Sequence, residues 1–182
     1  MIESKDRSGF FGASDTDKII GKWASDTFAK WWMQKIGINR DHFENKYTSA
    51  GTHLEHRILE SLGIPMELDK QIILEDILLR VNLDGNDATT VYECKTYKHE
   101  NGFKLPRKYI NQVQVQMFAS GLRNAKIITY GLKEEDYDNY FLDIDPSRRD
   151  EIVITYDKRW VEEIYLPRLK YLAECLKEGR WP

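Results

Sequence analysis

The sequence predicts an α/β protein, a central mixed sheet flanked by helices, forming one domain over residues 1–182. Three observations predict it. Segments with apolar residues at helical spacing are interleaved with short runs rich in β-branched residues, the pattern of packed sheet and helix layers. The 182 residues are 41% hydrophobic and 31% charged, which suits a globular chain able to bury one substantial core. No linker or repeat divides the chain, and its five prolines are scattered, at 65, 106, 146, 167 and 182.

The elements follow in order. Ser8–Asp15 is loop-like, and Ser14 or Asp15 can cap a short helical turn over 16–20. Phe28, Trp31, Trp32 and Ile36 mark a helix over 24–36 that Gly37 stops. Leu54, Ile58, Leu59 and Leu62 mark another over 51–62, ended by Gly63. Residues 71–81 suggest a strand, the Asn82–Asp87 stretch a turn, and 89–97 a second strand. Pro106 opens a helix over 107–120. Strands are expected at 125–130, 140–144 and 151–156. Asp157 caps a final helix over 158–178 that Pro167 bends or divides.

Composition excludes several classes. The balance of 27 Lys+Arg against 30 Asp+Glu, a net of −3, argues against a uniformly basic nucleic-acid coat but not against a local basic groove. Two cysteines, Cys94 and Cys175, are too few for a disulfide framework or a Cys-rich metal module. No apolar run is long enough to span a membrane, no signal core follows Met1, and a cytoplasmic protein is expected. There is no Gly-rich phosphate loop of the P-loop type.

The strongest chemical signal is Asp84 followed by Glu93-Cys94-Lys95. Glu93 and Lys95 are two apart on a strand and share a face, while Cys94 points into the opposite packing layer. Asp84, expected in a hairpin turn, can return toward that face. Paired carboxylates offer hard oxygen ligands to Mg²⁺ or Mn²⁺, and a lysine beside them can orient water or stabilise charge on phosphate. Glu55 supplies a third acid from the 51–62 helix, with Gly51 four residues earlier allowing a close approach. Gln112 and Gln116 are four apart on one helix face, with Tyr109 beside them. Either amide can orient water, a metal ligand or a DNA phosphate.

In this order, the segments Gly12-Ala13-Ser14-Asp15, Gly51-Thr52-His53-Leu54-Glu55, Leu83-Asp84-Gly85, Glu93-Cys94-Lys95-Thr96 and Tyr109 to Gln116 resemble the YqaJ-type viral recombinases. These are relatives of lambda exonuclease in the PD-(D/E)XK nuclease superfamily. The resemblance implies a restriction-endonuclease-like core and divalent-metal-dependent hydrolysis of DNA phosphodiesters, generally with Mg²⁺ and with Mn²⁺ substituting. It assigns Asp84 and Glu93 to the metal, Lys95 to catalysis, Glu55 to the metal directly or through water, and Gln112 to support of the site. Ser14 falls in the early motif and is implied in phosphate contact, with Arg7 a looser match. Relatives resembling lambda exonuclease degrade duplex DNA from a 5′ end, often as trimeric rings beside a single-strand-annealing recombinase partner. A homo-oligomer and such a partner are therefore family expectations. A structure-selective endonuclease, or a non-catalytic DNA- or protein-binding module on the same fold, is the alternative.

Residues 95–108 carry Lys95, Lys98, Lys104, Arg107 and Lys108 against Glu100. Directly after the active strand, Lys98, Lys104, Arg107 and Lys108, with Tyr109 and Gln116, are the expected DNA contacts. The 134–151 segment, with eight acids against Arg148 and Arg149, is expected to face away from DNA or to meet a basic partner. His53 and His56 form no zinc pattern; His56 adjoins Glu55 and is expected to be structural, with contact at the site rim the alternative. Trp23, Trp31 and Trp32 are expected in the core or at a partner contact.

Overall fold

The computed structural model describes residues 8–38 and 46–182, so Arg7 lies outside the described residues. Five strands form one sheet in the order β1 (Glu67–Leu74), β2 (Leu79–Asn86), β3 (Thr90–Lys98), β4 (Asn124–Leu132) and β5 (Arg149–Thr155). Neighbours are antiparallel except β3 and β4, which run parallel through nine paired positions, from Thr90↔Asn124 to Lys98↔Leu132. A parallel pair needs a crossover, and α4 (Arg107–Ser120) supplies it.

Helices cover both faces. On one lie α1 (Thr16–Ile20), α2 (Asp26–Lys35), α4 and, after α6 (Lys158–Trp160) and a π-helical turn (Val161–Tyr165), the final α7 (Leu166–Lys177). Their apolar residues bury Leu79, Val81, Leu83, Val91, Ala125 and Ile127 of the sheet. On the other face α3 (Lys46–Glu60) and the short α5 (Glu135–Asp138) enclose Tyr92, Cys94, Ile128, Tyr130 and Leu132. The alternation along β3 is therefore as the period of two demands: Val91 enters the first layer and Tyr92 and Cys94 the second. Trp31 and Trp32 are core residues, packed with Phe11 and Phe28, and Trp23 lies partly buried against the same cluster, stacked on Tyr171.

The expected elements and the observed ones differ in four places. The 71–81 segment is two strands, not one: the chain turns at Glu75–Ile77 and Leu78 takes a left-handed φ of 51°. The polar Asn82–Asp87 stretch is consequently not a turn but the end of β2, because Leu79, Val81 and Leu83 alternate into the core and carry it into the sheet. Residues 140–144 form no strand. Side-chain bonds hold them instead: from α3 the Arg57 guanidinium donates to the carbonyls of Tyr140 and Phe141, and locally Asn139 Oδ1 accepts from the Phe141 amide. Asp15 does not cap α1; its carboxylate turns back to accept from the Gly12 amide and from Trp31 Nε1, and pairs with buried Lys35.

Other expectations agree with the structure. Asp157 caps its helix through its side chain, and Ser25, which the sequence pattern does not single out, caps α2 in the same way. Pro167 lacks the N–H that would bond the carbonyl four residues back, and the helix widens into the π turn just before it.

Gly51 lets α3 lie close on β3, because a Cβ there would stand 2.9 Å from Thr96 Oγ1. Gly51→Val is expected to cost about 1–3 kcal/mol by overpacking, with partial recovery in Gly51→Val/Thr96→Ala. Urea unfolding of the four proteins checks this. Equal losses with and without Thr96 would show the contact to be unimportant.

Candidate active site

The β2–β3 ladder pairs only at Gly85↔Tyr92 and Asn86↔Val91, near the closed end of the hairpin. Beyond those pairs the strands diverge. The amide of Cys94 donates to Asp84 Oδ2 at 2.8 Å, so a side chain takes the donor that a strand carbonyl would otherwise accept. Asp84 therefore sits within β2 at the fork, not in a hairpin turn. The same register continued one step sets it beside Glu93.

Glu93 and Lys95 share the face of β3 that α4 covers, as the spacing predicts. Glu93 is buried, and both its oxygens are occupied: Oε1 accepts from Lys95 Nζ and from Gln112 Nε2, the latter at 2.6 Å, and Oε2 accepts from Gln116 Nε2. Lys95 Nζ also lies 5.0 Å from the Tyr109 ring centroid, a cation–π contact. Glu55 arrives from α3, in the opposite layer, and reaches electrostatic range of Glu93, Lys95 and Asp84 where the fork opens the sheet.

The charges report how crowded this point is. Burial, then Glu93, pushes the Glu55 carboxyl up to about 7, against the pull of Lys95 and His56. Burial, then Glu93 and Glu55, holds Asp84 well above the ordinary carboxylate range despite Lys95 and the Cys94 amide. Burial opposes the Lys95 charge, but Glu93 and Asp84 outweigh it and raise the ammonium above its ordinary value. Burial and Asp84 push the Cys94 thiol well up, so it is a core thiol and not a nucleophile. Three acids face one lysine, and a divalent cation bound by hard oxygens is what such a set would relieve.

The structure adds candidate metal ligands beside Glu55 that the sequence alone does not assign to a metal. Glu55, His56 and Asp69 each offer a ligand atom within 4.8 Å of the others, a candidate divalent-metal cluster on the rim of the same site. His56 Nε2 is 3.0 Å from Asp69 Oδ2. Asp69 adopts a left-handed φ of 56° between the pairs Leu68↔Gly85 and Lys70↔Leu83, which sets it across β1 from Asp84. Nothing in the sequence around Asp69 marks it. His56 was visible but carried no zinc spacing, and its partner comes from a distant strand.

A cleft of about 530 Å³ lies between α3 and the second half of β3, lined by Glu55, Lys95, Thr96, Tyr97 and Lys98 among others, but not by Asp84 or Glu93. Tyr137 of α5, within the acidic segment, lines it too. Part of that segment's acidity is internal, since Asp136 forms a buried pair with Arg148. Of the expected DNA contacts, Lys98 lines the cleft and pairs with Glu100. Lys104, Arg107 and Lys108 are exposed before and at the start of α4, and Tyr109 is half-buried there. Ser14 is exposed on the turn Ala13–Asp15, which packs against α4. Gln116 is a correction: it is fully buried against Glu93, out of reach of DNA.

No known family pattern and no curated protein matches the sequence. Solved structures do match the fold. A phage related exonuclease from Haemophilus somnus 129PT superposes with a TM-score of 0.70 at 15% identity, over 93% of this chain and 96% of that one. The fold is that of the restriction-endonuclease-like exonucleases. An alkaline exonuclease, LHK-Exo from Laribacter hongkongensis, agrees at a TM-score of 0.64 and 18% identity, over 94% of this chain and 93% of that one. In its complex with dAMP it agrees at 0.66 and 20%, over the same shares. Among the described residues no helix is long and apolar enough to cross a membrane.

A raised carboxylate pKa has a definite sign in stability. Glu55 ordinarily titrates near 4.5 and here near 7, so its protonated form favours the folded state. That stability is fully present below pH 4.5 and lost as pH rises through about 7. In EDTA, the melting temperature is expected to fall by several degrees between about pH 5 and pH 8, with Mg²⁺ recovering it at the higher pH. Glu55→Gln should flatten the profile. Parallel profiles for Glu55→Gln and wild type in thermal melts would contradict this.

Proposed function

We propose that this chain is a metal-dependent deoxyribonuclease that shortens linear duplex DNA from its ends, in the 5′ to 3′ direction, in phage-type recombination. The observation that supports it best is the approach of Glu55, Asp84, Glu93 and Lys95 to one another near the β2–β3 fork, with Glu55 and Lys95 also lining an open cleft, in a fold shared with exonucleases. Asp84, Glu93 and Glu55 would hold Mg²⁺, with His56 and Asp69 adding donors on the Glu55 side. The His56 nitrogen suits Mn²⁺, which would substitute. A cation held by these residues would supply polarisation of the scissile phosphate and a more acidic water.

The chain's own groups do the rest. Lys95 is held beside Glu93 as an ammonium, which suits it to orient the attacking water or to stabilise charge developing on the phosphate. Gln112 fixes the orientation of Glu93 through Oε1. Lys98, on the cleft wall, and the exposed Lys104, Arg107 and Lys108 would track the DNA backbone, a contact that weakens steeply with salt. Tyr109, in the first turn of α4, and Ser14, on the turn packed against that helix, would add phosphate or sugar contacts. The polarity, a homo-oligomeric ring such as a trimer, and a single-strand-annealing partner follow from the family resemblance.

End-labelled linear duplex, closed circular duplex and single-stranded DNA, each with Mg²⁺ or EDTA, test the proposal. The linear duplex should be shortened only with Mg²⁺ while the circle survives. A cut circle would make the protein an endonuclease, and no cleavage of any substrate would leave a binding module. Lys95→Ala should lower the cleavage rate by about a hundredfold or more and leave DNA affinity nearly unchanged. Wild-type cleavage by that variant would remove Lys95 from the chemistry.

A further inference from the structure

Gln116 stands out because it is a fully buried amide that is only half satisfied. Its Nε2 donates to Glu93 Oε2 on β3 and, at 3.4 Å, to the Asn82 carbonyl on β2. Its Oε1 is buried and has no partner among the described residues. Both contacts are acceptors, so the orientation of the amide is dictated by them and the orphaned oxygen is the consequence. A residue present only to fill the core would be better apolar, since an isosteric side chain would fill the same volume with no stranded acceptor. The amide reaches both arms of the fork, and it is the only side chain with a described bond to Glu93 Oε2 among the described residues.

We infer that Gln116 is a positioning residue: from α4 it spans the β2–β3 fork and pins Glu93 Oε2, fixing how the carboxylate presents itself to the cation. This rests on the metal-dependent nuclease reading, and it gives Gln116 a role distinct from DNA contact. Gln112 and Lys95 share the other oxygen, so loss of Gln116 frees the carboxylate to rotate about its bonds to them.

The test compares wild type, Gln116→Met and Gln116→Asn in three measurements on the full chain. These are Mn²⁺ affinity by calorimetry without DNA, thermal melting in EDTA, and cleavage of linear duplex with kcat and KM separated. In Gln116→Met, Mn²⁺ affinity is expected to fall by about tenfold and kcat with it, while KM and the melting temperature stay near the wild-type values. Gln116→Asn, which keeps the amide but shortens it, should lie between the two. Unchanged Mn²⁺ affinity and kcat in Gln116→Met would overturn the inference, as would a raised KM at constant kcat, which is the result for a DNA contact. If Gln116→Met fails to fold, the Gln116→Asn variant decides by the same readouts. Wild type that binds Mn²⁺ but cleaves nothing would defeat the nuclease reading alone. Wild type that binds no Mn²⁺ would defeat both.

Discussion

The hydrogen bond from the Cys94 amide to the Asp84 carboxylate is the contact on which the rest of the site depends. A two-stranded ladder normally consumes every inward-facing amide in backbone pairing. Here one side chain intercepts a donor, and β2 and β3 part after only two paired positions. The separation costs ladder bonds, but it opens a sheet that would otherwise seal its two layers from each other. Glu55, on α3, belongs to one layer, and Glu93 and Lys95 to the other. Their convergence requires an opening in the sheet, and the fork is that opening.

The electrostatics follow from that arrangement. Acids gathered at one partly desolvated point repel, and Glu55 and Asp84 are held protonated more readily than in water. Lys95 answers only part of the charge. The protein thus carries a built-in electrostatic frustration at its centre, set between two buried apolar clusters. Gly85 belongs to the same compromise. Its missing side chain leaves room for Met66, whose Sδ would lie 2.8 Å from a Cβ there, and keeps β1 and β2 closely joined while β2 and β3 separate.

Much of this was legible in the sequence. The period of two in β3 put Glu93 and Lys95 together and Cys94 opposite, and the helical spacing from Gly51 to Glu55 placed an acid one turn from a close-packing glycine. What was not legible depended on pairing between distant segments. Asp84 reads as a turn residue because Asn, Asp and Gly surround it, yet the alternation of Leu79, Val81 and Leu83 into the core outweighs those local preferences. Asp69 has no local signal at all; its role comes from β1 lying across from β2 and from His56 on another helix. Gln116 looked like a surface amide because glutamine generally is one, and its burial follows from α4 crossing the sheet over Glu93. Tyr140–Ile144 has strand composition, but α3 reaches it with Arg57 before any strand can.

Gln114, the neighbour that takes no part in the chemistry, carries a consequence for all of this. Its Nε2 donates to the Thr155 carbonyl and its Oε1 accepts from the Asp157 amide, both at 2.7 Å, across the end of β5. A helix seated by apolar contact alone can slide or roll by small increments. A slip of one residue in α4 would translate it by about 1.5 Å and turn it through roughly 100°, stranding both bonds at once. The helix is keyed to the far edge of the sheet like a shaft in a slot. The glutamines over Glu93 therefore share their register with a joint to the β5 edge of the sheet, two strands away from the strand that carries Glu93.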